Sequence, residues 1–264
     1  MPSLREQALH VVQCADVDAK LAAAHALAAA AAAGAEAGAP LHLAEPGALP
    51  GRPPRPRLRP HRELQQGSLA TAAGRAALVH ALAHIEFNAI DLACDAVWRF
   101  AAMPDAFYRD WAAIAAEEAT HFALLREHLR GLGYDYGAFD AHGALWEMAE
   151  RTRDDLLARI ALVPRTLEAR GLDASPAVRA KLVGAGDVAA GAILDVILRD
   201  EIGHVAAGNR WYRWLCTQRG LDPLATYAGL VERYAAPRAR GPFNVAARRA
   251  AGFTEDELQA LQAG

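Results

Sequence analysis

Two Glu-x-x-His steps in this chain combine residue types and a spacing that could do chemistry together. They are Glu118–His121 and Glu201–His204, and a single glutamate precedes each step, 32 residues upstream in one case and 33 in the other. Residues three apart share one face of an α-helix, so the carboxylate and imidazole of each step can reach the same ion. The candidate ligands are Glu86, Glu118, His121, Glu168, Glu201 and His204.

Together these six residues predict a buried site for two metal ions. One glutamate from each of two helices, with Glu-x-x-His from two others, is the inward-facing ligand set of di-iron and di-manganese carboxylate bundles. Four carboxylates and two neutral imidazoles carry a charge that two divalent cations cancel, whereas unpaired buried charges are not tolerated. Oxygen and imidazole ligands favour iron or manganese over zinc-thiolate chemistry. The predicted cofactor is two iron ions, with manganese or a mixed pair as the alternative.

Apolar neighbours distinguish these glutamates from those of a solvated helix surface. At helical spacing, Glu86, Glu118 and Glu201 each lie on a stripe of apolar residues, and a charge on such a stripe needs a partner. Glu168 has weaker support, because a proline and an arginine precede it closely. Glu150 is the substitute ligand if Glu168 does not bind metal.

An acidic residue stands directly before each Glu-x-x-His step. Metal-bound histidines normally donate their second ring N–H to a carboxylate, which fixes the orientation of the ring. Glu117 and Asp200 are candidates for this role, each toward the histidine of the opposite helix. The alternative is that both simply face solvent.

Long helices must position these ligands, and the sequence predicts an all-α chain. Pro104 should be the first residue of one helix. In a later helix, Pro164 should cause a kink one turn before Glu168, and Gly171 should end that helix. Pro176 should open the next segment. The near-equal spacings predict two related hairpins joined by a long connection, which is a ferritin-like four-helix bundle with one crossover. Helices are predicted over 3–33, 68–102, 104–130, 144–170 and 187–219, with short ones in 222–264.

Three segments are expected. Residues 1–62 should form an N-terminal helix and a Pro/Arg-rich strap, 63–221 the metal-binding bundle, and 222–264 a helical extension. The strap, residues 40–62, is too rich in proline to be helical. We expect it to pack on the bundle; the alternative is a site for RNA or an acidic partner.

Composition narrows the class of protein. The chain has 264 residues, 53% of them hydrophobic, and a net charge of −3, which argues against a general nucleic-acid binder. Three scattered cysteines fit a reducing compartment. The N-terminus lacks the pattern of a secretory leader, and the alanine run near it is too weakly apolar to span a bilayer. We therefore expect a cytoplasmic protein that does not enter a membrane.

Several stretches of the sequence also carry a family resemblance: His84–Asp91, Asp110–Trp111, Glu117–Phe122, Leu167–Asp173 and Arg199–Val205. With these residues the chain resembles the ferritin-like superfamily and, more closely, the bacterial family called domain of unknown function 455. The resemblance extends from Pro50–Pro56 in the strap to Gly241–Arg248. It implies a ferritin-like fold with the same six metal ligands, and it leaves the substrate open.

The predicted function is that of an oxidoreductase which activates O₂ at a di-iron centre and hydroxylates or otherwise oxidises an organic substrate. The six residues act as ligands, and no further catalytic residue is predicted. The alternatives are iron handling or peroxide detoxification of the ferritin or rubrerythrin type, or an enzyme resembling a tRNA-modifying hydroxylase. The flanking segments, and the lack of a Cys-x-x-Cys iron domain, favour the enzyme. Expected partners are a small-molecule or RNA substrate and an electron donor, with the protein a monomer or small homo-oligomer.

Overall fold

The structure of the protein is a computed structural model that describes residues 2–64, 67–237 and 239–263. Regular structure in these residues is helical, with no strand beyond an isolated bridge between Leu58 and Ala141. The all-α prediction is therefore confirmed. The chain divides into two compact units, Met1–Ala144 and Leu145–Gly264, called here the N-terminal and C-terminal units. The division into segments 1–62, 63–221 and 222–264 stays a prediction.

Four α-helices build the N-terminal unit. Helix α3 packs against α1 and α4, and α2 packs against α1 and α4. Side chains cap the first three helices: Ser3, Asp16 and Thr71 each accept a hydrogen bond from a backbone N–H three residues on, which satisfies a donor that the first helical turn leaves open. The bounds are α1 Leu4–Gln13, α2 Val17–Ala32, α3 Ala72–Arg99 and α4 Asp105–Gly131, with a short 3₁₀ turn at His61–Glu63.

The single helix predicted for residues 3–33 is wrong, because the chain breaks between α1 and α2. Cys14 adopts an extended conformation, and the Asp16 carboxylate accepts from the N–H of Ala19 to start a new helix. The prediction for Pro104 is also slightly wrong. It lies at the N-cap position of α4, and the helix begins at Asp105.

The segment between α2 and α3 runs along α1 and the connection after α4. The N–H of Gly51 donates to the Val12 carbonyl at 2.7 Å, an approach so close that a Cβ atom at Gly51 would lie 2.0 Å from the Gln13 carbonyl oxygen. The backbone of Arg57 and Arg59 exchanges hydrogen bonds with Ala141 at 3.0 and 2.7 Å. Within this unit, backbone hydrogen bonds thus anchor the strap at its middle and near its C-terminal end.

Helices also build the C-terminal unit. Their bounds are α5 Ala144–Arg151, α6 Leu156–Leu162, a π-helical segment Val163–Glu168, α7 Ala169–Gly184, α8 Val188–Gln218, α9 Pro223–Arg233, α10 Val245–Ala250 and α11 Glu255–Ala263. Helix α8 packs against α6, α7 and the π-helical segment. The predictions of a helix at 187–219 and of short helices after residue 222 are confirmed.

The single kinked helix predicted for 144–170 is wrong. It is divided into α5, α6 and the π-helical segment, and the buried Arg159 donates back to Thr152 at 2.9 Å across the first break. Gly171 does not end a helix, because α7 continues to Gly184, and Pro176 lies inside α7. Proline has no N–H for the carbonyl four residues before it. That carbonyl, of Leu172, accepts instead from the side-chain amide of Asn244 at 3.2 Å.

Helix α3 is the most apolar long helix of the described residues. Length and composition alone would let Ala72–Arg99 cross a membrane, but 72% of its most apolar window is buried inside the protein. Packing against α1 and α4 accounts for that composition.

Candidate metal centre

Three of the predicted ligands come together in the N-terminal unit. Glu86 lies 13 residues before the end of α3, and Glu118 lies 13 residues after the start of α4, so the two glutamates lie at the same level of an antiparallel hairpin. His121 follows one turn later on the face of Glu118. One ligand atom from each residue lies within 4.8 Å of the others, and the three side chains are 0 to 5% exposed.

The electrostatics of this triplet are those of a buried cation between two anions. The His121 Nδ1 donates to Oε2 of Glu86 and to Oε2 of Glu118, both at 3.3 Å. Burial lowers the pKa of His121, but the hydrogen bonds and charges of Glu118 and Glu86 outweigh that effect and raise the pKa to about 11. A protonated imidazole thus compensates the carboxylates, in the position where a divalent cation would compensate them.

The C-terminal unit holds the other three predicted ligands. Glu201 and His204 lie on one face of α8, with the carboxylate Oε1 3.6 Å from the imidazole Nδ1. His204 is fully buried and Glu201 is 8% exposed. Glu168 is half-buried at the end of the π-helical segment. Among the described residues, no three of this unit alone bring ligand atoms as close together as the N-terminal triplet does.

The π-helical segment sets where Glu168 lies within its unit. The Thr166 hydroxyl donates to the carbonyl of Ala161 at 2.7 Å. Gly208, one turn after His204 on α8, lies so close to Pro164 that a Cβ atom would be 2.8 Å from the proline Cβ. Wide turns of this kind occur mostly as short insertions in α-helices, frequently at functional sites. The backbone that ends at Glu168 is therefore positioned by direct contact with the helix that carries His204.

The remaining candidates are more accessible to solvent. The Glu117 side chain is exposed, and the Asp200 carboxylate accepts from the Arg199 guanidinium at 2.8 and 3.0 Å. Their role in orienting histidines stays a prediction. Glu150, the substitute for Glu168, is exposed and accepts from the Trp146 indole at 2.9 Å, so it faces solvent at the end of α5.

The chain matches a family model over most of its length. The model is described as "Protein of unknown function (DUF455)" and matches residues 13–259. The chain belongs to the DUF455 family. An "Uncharacterized protein" from Haemophilus influenzae (strain ATCC 51907 / DSM 11121 / KW20 / Rd) is 50% identical over 213 residues, which cover 78% of this chain and 74% of that protein. No solved structure matches the chain with significance.

The donor set of this DUF455 protein fits a hard or borderline divalent cation. Two carboxylates and one imidazole converge in the N-terminal unit, and a carboxylate and an imidazole are adjacent in the C-terminal unit. Iron and manganese accept such mixed oxygen and nitrogen donors. No cysteine takes part, since Cys94 and Cys216 are buried elsewhere and Cys14 lies at the end of α1.

Sequence reasoning missed a second layer of buried polar residues around α3 of this DUF455 protein. Lys20 on α2 forms a fully buried ion pair with Asp91, and burial raises the pKa of that carboxyl while the lysine opposes the rise. One turn before Asn88, His84 Nδ1 lies 2.8 Å from the Tyr136 hydroxyl. Burial, with the nearby Arg52 charge, lowers the pKa of His84 to about 3. The signal in the sequence was a single lysine on an otherwise alanine-rich helix.

Proposed function

We propose that this DUF455 protein is a di-metal carboxylate oxidoreductase that activates O₂ to oxidise an organic substrate. The observation that carries the proposal is the buried N-terminal triplet, in which ligand atoms of two glutamates and a histidine converge within 4.8 Å of one another. Buried carboxylates require compensation by hydrogen bonds, ion pairs or metal. Iron is the proposed metal, with manganese as the alternative.

The Glu201–His204 pair of the C-terminal unit supports a second metal ion. Glu201 and His204 repeat the residue types, spacing and burial of Glu118 and His121. A ferritin-like ligand set, in which Glu168 joins this second pair, is part of the proposal. It rests on the repeat in the sequence and on the ligand count.

The chain's own residues would bind and shield the metals. The carboxylates of Glu86 and Glu118 would supply oxygen ligands, and His121 would give up the proton it holds in the metal-free protein in order to ligate. Phe87 and Phe122 directly follow Glu86 and His121 in the sequence and are buried, with ring centroids 5.1 Å apart. These rings would limit the access of water to the bound metals. When bound, two iron ions would supply electrons for the reduction of O₂.

Metal loading and oxygen consumption test the proposal directly. The full chain would be loaded with iron(II) without oxygen, desalted, and analysed for iron content before and after exposure to O₂. We expect about two ions per chain, a new near-ultraviolet absorption after exposure, and lower iron content in Glu118→Gln and Glu201→Gln. Glu127→Gln is the matched control, because Glu127 lies on the same helix as Glu118 but is largely exposed.

Each result separates the proposal from its alternatives. At most one ion per chain in the wild-type protein would contradict the di-metal centre and would first remove Glu168 from the ligand set. Many more than two ions per chain, in a large symmetric shell, would favour iron storage. Rapid turnover of peroxide without an organic substrate would favour detoxification, and oxidation of a tRNA base would identify RNA as the substrate.

A further inference from the structure

A cavity of about 340 Å³ lies within the C-terminal unit, and none of the predicted metal ligands lines it. Its floor is formed by the π-helical segment and by Phe253 and Glu257, which are buried. Its rim is formed by exposed residues of α9 and α11, including Ala228 and Ala260. A cavity of this size is at the lower end of the range of small-molecule sites, about 300–1,000 Å³.

The polar group in the floor is Arg165, which is only 3% exposed. Its guanidinium lies over the rings of Tyr212, Tyr227 and Phe253, with 4.8 to 5.0 Å to each centroid. Its two terminal nitrogens donate to Asn209 at 2.8 Å and to Glu257 at 2.9 Å. The third nitrogen, Nε, is buried, and its N–H has no hydrogen-bond partner among the described residues. A buried cationic donor of this kind is costly unless something accepts from it.

The charges around the cavity leave a small excess of positive charge. Glu257 is shared between Arg165 and Arg213, which donates to its other oxygen at 2.8 Å. Arg248, also in the lining, forms a paired hydrogen bond with Asp173. Three guanidiniums thus face two carboxylates. Burial raises the pKa of Glu257, but Arg165, the backbone N–H of Thr254 and Arg213 together lower it by more. An anionic group would complete the balance, and a cationic one would not.

We propose that this cavity binds a small molecule with an apolar body and a carboxylate head. The carboxylate would accept from the Arg165 Nε–H, and the apolar body would pack against Leu224, Val231 and Leu261, which line the outer walls. A charge-assisted hydrogen bond to a fixed arginine gives the preference for the carboxylate over a neutral head. The site is separate from the proposed metal centre and does not depend on metal.

Methyl NMR on the full chain tests the site with defined probes. Leucine and valine methyl groups would be labelled, and hexanoate, 1-hexanol and hexylamine would be titrated in turn. We expect saturable shifts of the Val231 and Leu261 methyls with hexanoate, at least about tenfold weaker binding of 1-hexanol, and no binding of hexylamine. Equal binding of hexanoate and hexanol, or no saturable shift with hexanoate, would overturn the proposal.

Two variants separate the cavity from its polar group. Ala228→Phe should fill the rim and abolish hexanoate binding, whereas Ala225→Phe, on the same helix and outside the lining, should leave it unchanged. Arg165→Lys keeps the charge but removes the Nε–H, so it should weaken hexanoate binding by about tenfold or more. If Arg165→Lys does not fold, Ala228→Phe and Ala225→Phe still test where the probe binds. The comparison of hexanoate with 1-hexanol then tests the preference for a carboxylate head. Unchanged binding in Ala228→Phe would place the probe elsewhere.

Discussion

Gly208→Ala should expose how tightly the π-helical segment is held against α8. The added methyl would lie 2.8 Å from Cβ and 3.1 Å from Cγ of Pro164, about 0.7 Å inside an ordinary carbon contact of about 3.5 Å for the closer pair. The proline ring is rigid, so the backbone of one element must move, at a cost of about 1–3 kcal/mol. Alanine recovers about 1 kcal/mol of helix propensity. We expect a net loss of about 0–2 kcal/mol in the free energy of unfolding.

Gly203→Ala is the matched control, because it lies on the same helix with no atom within 4 Å of an added Cβ. It should stabilise the protein by about 0.5–1 kcal/mol through propensity alone. Urea unfolding of the metal-free proteins would measure both, and we expect Gly203→Ala to be the more stable variant by about 1–3 kcal/mol. If Gly208→Ala is as stable as Gly203→Ala, the close contact with Pro164 is wrong, and with it the account of how Glu168 is positioned.

Three other outcomes are expected. His80 is buried, and desolvation lowers its pKa from 6.5 to about 4, so its contribution to stability is complete above pH 6.5 and lost as the pH falls towards 4. His80→Gln still accepts from the Gly137 N–H and should reduce the loss of unfolding free energy over this pH range, measured with urea, by about 3 kcal/mol. An unchanged pH profile would refute this prediction. Asn244→Ala should lower the free energy of unfolding by about 1–3 kcal/mol. In the Pro176→Ala background the loss should be about 1 kcal/mol smaller, because the new N–H of residue 176 can reach the Leu172 carbonyl. Equal losses in both backgrounds would contradict the role given to Asn244. Chelation of metal should lower the melting temperature, since a ligand at 100 times its Kd adds about 2.7 kcal/mol; an equally stable metal-free protein would count against the proposed centre.

The long helices were predictable because their signals are local. Residues 104–130 and 187–219 contain apolar residues at helical spacing, are each followed directly by a glycine, and correspond closely to α4 and α8. The sequence predicts a start of α3 at Ser68, whereas the helix begins at Ala72, because both Ser68 and Thr71 can cap a helix. In the structure it is the Thr71 hydroxyl that accepts from the Gly74 N–H, at 3.0 Å. The uncertainty at this helix end arises because two residues one turn apart have the same capping chemistry.

The irregular part of the C-terminal unit was not predictable in the same way, because distant residues determine it. Pro164 lies in a π-helical turn whose close neighbour, Gly208, is 44 residues away in the chain. Pro176 is tolerated inside α7 because the side-chain amide of Asn244 donates to the Leu172 carbonyl, in place of the N–H that proline lacks. Proline normally ends or kinks a helix, and only these tertiary contacts reverse that expectation.

The two hairpins differ in how well they align their own predicted ligands. Glu86 and Glu118 each lie 13 residues from the turn between α3 and α4, so a helical rise of about 1.5 Å per residue brings them to the same level. In the hairpin of α7 and α8, Glu201 lies 13 residues after the start of α8, but Glu168 lies 16 residues before the end of α7. In regular helices that difference of three residues would offset the pair by about 4.5 Å. The near-equal spacings of 32 and 33 in the sequence conceal this offset, because the turns differ in length. The π-helical segment ends at Glu168, so its backbone geometry, and not the spacing alone, determines where this carboxylate lies within its unit.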